Sequence, residues 1–332
     1  LDVGDLSLGV EASQVRLAEG RFSGQIAAAI DLAQLGQSRL LQSIFPLLAD
    51  MQLGGKAQLI LVGSAEQESP GEDSPSLVLR ITDGTVASQV YELSARRIES
   101  QLVLVDLASP HTPPGQQLTM EYGQMGKWEV RDAVFRYTLE NLHTLKVEHT
   151  ELGWLGGRLW ADPFTLDLAS PVVRSRVHGE ELDLGKLVWI VTGEQAWAEG
   201  TIDLDVPLAF SWPRMRFGDG FIAARPGGKL HLDFVADRVG DYLAATDPRF
   251  VTDPTYSVVR ERVIKALREF RFSRLRLDMK RNDQQLDTLV QVQGRGDYES
   301  GQEVNLNVTV SDLDWLISRY LAMPTQVQAV QE

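Results

Sequence analysis

The chain has 332 residues, of which 46 are Asp or Glu and 32 are Lys or Arg, for a net charge of −14; it has no cysteine, 28 glycines, 14 prolines and five histidines. At roughly 150 residues per domain the length suits two compact domains or one large β domain, and the lack of thiols excludes disulfides, iron–sulfur clusters, cysteine nucleophiles and thiolate zinc sites. The acidity argues against general nucleic-acid binding, which needs clustered cations, and every apolar stretch falls short of the ~18 residues that span a bilayer as a helix.

The chain opens on Leu1-Asp2-Val3-Gly4, with neither an initiator Met nor a secretory pattern, and reads as a fragment or a processed form. Its dominant signal is two-residue alternation, which on a strand sends successive side chains to opposite faces. In chain order, strands are expected at Val15–Leu17, Phe22–Ile30, Leu59–Leu61, Leu77–Ile81, Leu102–Val105 and Phe164–Leu168. A helix is expected over Gln37–Asp50, with Pro46 kinking or ending it. Glu66–Pro75 reads as an acidic hairpin tip. Ser109–Gln117, with three prolines, reads as either a linker or a long turn in a continuous sheet.

Further along, Glu181–Val191 places Leu184, Leu187, Val188 and Val191 on one helical face. The strongest strand follows, with Ile202, Leu204, Val206, Leu208, Phe210 and Trp212 at six successive even positions. Leu230, Leu232 and Phe234 repeat the pattern. A helix is expected over Pro254–Phe270, capped by Asp253 and started by Pro254, with Val259, Val263, Leu267 and Phe270 as its buried stripe. Alternation then returns at Leu275, Leu277 and Met279, at Leu286, Val290 and Val292, and at Val304, Leu306, Val308 and Val310, before a last helix over Ser311–Leu321. Gly-Gly-basic triplets at Gly54, Gly156 and Gly227, and Asp-Gly at Asp83 and Asp219, read as tight turns between strands. The fold class is mainly β: an antiparallel meander with a few short covering helices.

Chemistry-bearing motifs are sparse. A Gly-x-Ser-x-Gly elbow and a phosphate loop are absent. Gly218-Asp219-Gly220 lacks the helix that a dinucleotide site requires. Asp203 and Asp205 lie within the best strand, without a calcium-loop glycine, and read as its solvated face. His143 and His149 lack a third ligand nearby. No catalytic residue, metal or cofactor is expected. One segment opposes the global charge: Tyr256–Arg281 holds nine basic residues against Glu261, Glu269 and Asp278, a balance of 9 − 3 = +6. Arg274, Arg276 and Lys280 there share the face opposite Leu275, Leu277 and Met279. With Arg271 they read either as a patch for anionic headgroups or an acidic partner, or as an ordinary solvated face.

Several second-half motifs resemble one family. Trp197-Ala198-Glu199-Gly200-Thr201-Ile202-Asp203-Leu204-Asp205-Val206-Pro207-Leu208 is similar to the G-x-L-x-x-x-x-P-L strand of the YdbH family, within the AsmA/TamB-like group of periplasmic bridge proteins. Gly218–Leu230 resembles its glycine-flanked hairpin, Ala266-Leu267-Arg268-Glu269-Phe270-Arg271-Phe272 its A-L-x-x-F-x-(Y/F) segment, and Val304–Val308 leading into Leu313–Leu321 its terminal strand and helix. Gly294-Arg295-Gly296-Asp297 departs from the family's Gly-x-Asn-Pro. The resemblance covers about residues 180–321; the first half shows only alternation.

The resemblance implies an elongated, curved β groove that shelters phospholipid acyl chains between the inner and outer membranes of a double-membrane bacterium. It implies a periplasmic location, within a longer protein anchored in the inner membrane, and no catalysis. Residues 1–127 would form the first part of the groove and 128–332 the C-terminal part, in one continuous sheet. Ile202, Leu204, Val206, Leu208, Phe210, Trp212, Leu230, Leu232 and Phe234 would line it. Arg271, Arg274, Arg276 and Lys280 would meet headgroups or a partner. Val304, Leu306 and Val308 would offer an edge to a small outer-membrane lipoprotein by strand addition. A closed sandwich core has the same alternation. An alternative is an extracytoplasmic carbohydrate- or protein-binding domain in which Trp154, Trp160, Trp189 or Trp197 stacks on sugars.

Overall fold

The computed structural model describes residues 2–3, 6–7, 9–18, 21–38, 42, 49–63, 76–90, 92–106, 109–168, 172–192, 196–211, 214–231, 247–282, 285–296 and 303–311. These are mostly strand, and every described pairing is antiparallel. They fall into two compact units, one taking in residues up to Gly153 with Trp160–Ser175, the other Trp154–Leu159 with residues from Arg176 on.

The first unit is a meander of β1 (Gly9–Ala18), β2 (Arg21–Asp31), β3 (Gln52–Gly63), β4 (Ser76–Ser88), β5 (Leu93–Leu104), β6 (Gln116–Met125) and β7 (Trp128–Asn141). Each strand pairs with the next. Antiparallel partners share a face, so the register places Ala28, Leu59, Leu79 and Leu102 in one row and Ile26, Leu61, Leu77 and Leu104 in the next. At one end Ile30, Ala57 and Leu32 are buried, with Leu53, Leu59, Leu79 and Ile81 packed against them. Leu32 belongs to α1 (Leu32–Gln37), which follows β2 directly and is capped where the Asp31 carboxylate accepts from the Ala33 N–H at 2.9 Å. The helix expected over Gln37–Asp50 therefore has a described neighbour just before it, while most of that span, and Glu66–Pro75, lies outside the described residues.

Two turn assignments change. Gly54-Gly55 and Asp83-Gly84 do not separate strands; they lie inside β3 and β4, where the pairing shifts register. Gly55 has φ +103°, and a Cβ there would lie 2.5 Å from the Asp83 carbonyl oxygen, so glycine permits the close approach of two bulged strands. Ser109–Gln117 is a long turn within the meander, not a division between units. It is held by the Val105–His111 bridge and by the Leu139 N–H donating to Thr112 Oγ1 at 2.8 Å. Strand β8 (Thr144–Trp154) and the short strands β9 (Gly157–Ala161) and β10 (Phe164–Asp167) follow, β8 pairing with β10.

The second unit takes in most of β11 (Val173–Asp183), then α2 (Leu184–Thr192), β12 (Trp197–Glu199), β13 (Thr201–Ser211), β14 (Arg214–Phe217), β15 (Gly220–Ala224) and β16 (Lys229–His231). It closes with α3 (Arg249–Thr252), α4 (Pro254–Arg268), β17 (Phe270–Asn282), β18 (Gln285–Gly296) and β19 (Glu303–Ser311). The helix expected from Glu181 starts at Leu184, because Glu181–Asp183 complete β11 and the Asp183 carboxylate then accepts from the Lys186 N–H at 3.0 Å. The α4 helix starts as expected: Asp253 accepts from the Thr255 N–H at 2.8 Å and Pro254 fills the first turn. It ends earlier than expected. Glu269 is extended, and Phe270 opens β17 opposite Leu230 and Gly296 instead of finishing the helix stripe. Ser311 ends β19, and the expected last helix otherwise lies outside the described residues.

Candidate functional site

In the second unit the register gathers apolar residues from five strands onto one face. Leu204 faces Ile222, Ile222 faces Leu277, Leu277 faces Val290, and Val290 faces Val308. A second row runs Ile202, Ala224, Leu275, Val292, Leu306. A third holds Gly220, Met279, Thr288 and Val310. Burial varies along the rows. Ile202, Leu275, Met279 and Thr288 are buried, as are Val206 and Leu286; Leu204, Ile222, Leu277 and Val290 are half-buried, as are Ala224 and Val292, and Leu306 is exposed. Val206, Met279 and Leu286 form a packed cluster with Leu204, Phe217 and Ile222 against it. Fully burying one such side chain contributes about 1.5–3 kcal/mol.

The face is continued past a break in parity. Phe270 and Phe272 lie at even positions and Leu275, Leu277 and Met279 at odd ones, yet all five share a face, because the β17–β18 pairing slips by one residue between Phe272 and Arg274. Ser273 is the extra residue, and its hydroxyl donates to the Gln293 carbonyl at 3.2 Å. Both phenylalanines are almost wholly buried. Leu230, expected in the lining, is buried between Ala198 and Phe270 in register. Leu208 and Phe210 are half-buried and face Phe217 and Met215 of β14. Trp212, Leu232 and Phe234 lie outside the described residues.

The opposite face carries charge, mostly in pairs. The Arg225 guanidinium donates to both Asp203 oxygens at 3.1 Å and to Glu181 Oε1 at 2.8 Å, and the Glu181 N–H donates to Asp203 Oδ1 at 2.9 Å. Partial burial pushes the Asp203 pKa up, but the hydrogen bonds from Arg225 and the Glu181 N–H outweigh it and hold the carboxyl below its ordinary value. The same two carboxylates, Asp203 first, raise the Arg225 pKa. Asp205 pairs with Arg176, and His178 Nδ1 lies 3.6 Å from its other oxygen. Asp203 and Asp205 are thus engaged by arginines, and no metal-ligating cluster occurs among the described residues.

The four cations expected as a patch do share this face, Arg271 being brought to the same side as Arg274, Arg276 and Lys280 by the bulge. They are not equivalent. Arg276 pairs with Asp278 and lies 4.4 Å above the Phe221 ring, Arg274 donates to Gln291 Oε1 at 3.0 Å, and Lys280 is exposed opposite Asp287. Within this unit β19 has β18 as its one described neighbour; Val304 is half-buried and Leu306 exposed. Of the tryptophans expected to stack on sugars, Trp154 is buried instead of exposed and Trp160 is half-buried. Trp189 and Trp197 are exposed, the latter stacked on His231 with centroids 5.5 Å apart.

Sequence reading expected strands at Leu59–Leu61 and Leu77–Ile81 but named no lining residue in the first unit; which of these residues share a row is set by the register across strands. It also missed Lys229 and Arg295, which the register places on either side of Arg271.

Fold and site together define a protein of antiparallel sheet with an apolar face running across successive strands and a charged, largely paired reverse. Residues 62–237, just over half of the chain, match the YdbH-like family, described as "Intermembrane phospholipid transport protein YdbH". The chain belongs to this family of intermembrane phospholipid transport proteins. The match takes in the Trp197–Leu208 and Gly218–Leu230 segments and reaches back to Val62 in β3, through strands where only alternation was legible. No curated protein and no solved structure matches the chain.

Proposed function

We propose that the chain forms part of a periplasmic bridge, an elongated and curved β groove whose apolar face shelters phospholipid acyl chains between inner and outer membranes. The observation that carries this reading is the half-buried apolar row Leu204–Ile222–Leu277–Val290, on a face that crosses strands, in a chain of a phospholipid transport family. Each methylene moved from water to such a face contributes about 0.8 kcal/mol, so a long acyl chain is held without any specific polar contact. Leu208, Phe210 and the residues expected at 212, 232 and 234 extend the lining. The paired carboxylates and arginines keep the reverse face wet.

On this reading the protein acts without catalysis or cofactor. Residues 1–127 and 128–332 contribute successive stretches of one sheet, within a longer protein anchored in the inner membrane. Arg271, Arg274, Arg276 and Lys280 meet phospholipid headgroups at the groove's rim, and β19, through Val304, Leu306 and Val308, accepts a strand from a small outer-membrane lipoprotein. The test is native mass spectrometry and lipid extraction of the protein purified from membranes. Co-purified phospholipid, lost when Leu204 and Leu277 are both changed to Asp in a variant that still folds, is the expected result. A lipid-free protein with no uptake of added phospholipid overturns it.

A further inference from the structure

The β-bulge at Ser273 has a second effect, on the charged face. In register, Lys229 of β16 faces Arg271 of β17, Arg271 faces Arg295 of β18, and Arg295 faces Glu303 of β19. Three cations thus occupy consecutive cross-strand positions, with one carboxylate at the end of the row. Directly opposed like charges on neighbouring strands, about 4.5–5.5 Å apart at Cβ, destabilise a sheet, and two of these cations, Lys229 and Arg271, are half-buried. Beside the row lies a depression whose lining includes Gly227, Arg271, Ser273, Gln293, Arg295 and Asn305, together with the Glu303 carboxylate. Gly227 has φ +99°, and a Cβ there would meet nothing within 4 Å, so the turn leaves the depression open.

Guanidinium groups on neighbouring strands, beside hydroxyl and amide side chains, make a recognition surface for a tetrahedral oxyanion, which the Glu303 carboxylate opposes. An arginine offers two parallel N–H donors to such a group, and a nearby ammonium adds charge. We propose that Arg271 and Arg295, assisted by Lys229, bind a phosphate group in this depression. The ligand is a phosphate ester or free phosphate. The site narrows the headgroup role proposed above to one place on the face, and rests on that reading only for the identity of the molecule bearing the phosphate.

Isothermal titration of the chain with inorganic phosphate and, separately, with dihexanoyl phosphatidylglycerol below its micelle concentration tests this. Saturable binding is expected, weakened about tenfold or more in Arg271→Gln/Arg295→Gln, since charge-assisted pairs are lost. Arg131→Gln/Lys146→Gln, which removes two cations that do not line the depression, is expected to bind as the parent does. Glu303→Gln, which removes the carboxylate of the row, is expected to bind more tightly, and reports on the site even where the double variant fails to fold. Binding of phosphate alone identifies a free anion as ligand, binding of the lipid alone a headgroup, and binding of both the phosphate group itself. An unsaturable titration with both probes, or equal loss in both double variants, overturns the proposal. Phospholipid co-purification, measured alongside, separates the two readings. If only the phosphate site fails, co-purified lipid is unchanged; if the acyl groove fails, no variant carries lipid.

Discussion

The ring of Phe272 lies directly over Gly228: a Cβ at that glycine would come within 2.3 Å of the ring's Cζ and 2.2 Å of the Glu199 carbonyl oxygen. The Phe272 N–H donates to the Gly228 carbonyl at 3.0 Å, so ring and backbone bind the same residue. The aromatic side chain covers backbone that would otherwise have no packing partner on this face.

Gly228→Ala is therefore expected to destabilise the protein by about 1–3 kcal/mol, the usual range for overpacking against atoms that cannot move aside. Phe272→Ala, which leaves a cavity over the same glycine, is expected to cost about 3–5 kcal/mol. Urea unfolding of both variants measures this, and a change in midpoint without a change in slope separates lost stability from altered compactness.

Face selectivity provides a second outcome. Leu277 and Leu289 lie on neighbouring strands but on opposite faces, Leu277 half-buried in the apolar row and Leu289 exposed opposite Asp278. Leu277→Asp is expected to abolish phospholipid co-purification and to lower the melting temperature. Leu289→Asp, already in water, is expected to leave lipid unchanged and stability within about 0.5 kcal/mol. Lipid extraction and thermal melting of the two variants side by side give the comparison.

The Asp203 carboxyl sets an acid dependence. Its pKa is lower folded than unfolded, so its contribution is complete above the ordinary carboxylate pKa and is lost as pH falls through the folded value. Asp203→Asn is expected to be less stable than the parent at neutral pH, by a modest amount because the pair with Arg225 is partly exposed. The difference is expected to shrink below about pH 4 and vanish once the parent's carboxyl is protonated. Unfolding curves of both proteins from pH 7 to pH 2 test the sign.

At α4, Asp253→Ala removes the acceptor for the Thr255 N–H while Pro254 remains in the first turn. A loss of about 1 kcal/mol is expected, as for other caps. Asp253→Asn, which keeps an accepting oxygen, is expected to restore most of it. Thermal denaturation distinguishes them.

Alternation made the strands legible, and the apolar face with them, because Ile202, Leu204 and Val206 or Leu275, Leu277 and Met279 declare their side by spacing alone. The cap at Asp253 was legible for the same local reason. What was not legible depends on which residues meet across strands. Phe270 reads equally well as the end of a helix stripe or the start of a strand, and only its pairing with Leu230 and Gly296 decides. Gly55 and Asp83-Gly84 carry turn chemistry yet serve bulges inside strands. Lys229, Arg271 and Arg295 are 42 and 24 residues apart in sequence, and nothing local announces that they are neighbours.

The extra residue at Ser273 also changes how this strand tolerates variation in length. Upstream, the even positions face the apolar side; downstream, the odd ones do. Deleting Ser273 would join the two stretches in a single phase: Phe270, Phe272, Leu275, Leu277 and Met279 would alternate regularly on one face, against an unshifted register with β18, and only the bulge would be lost. Sequence length in this strand is therefore freest at the bulge and strict on either side of it: deleting Arg271, Arg276 or Asp278 instead would send neighbouring apolar residues to opposite faces.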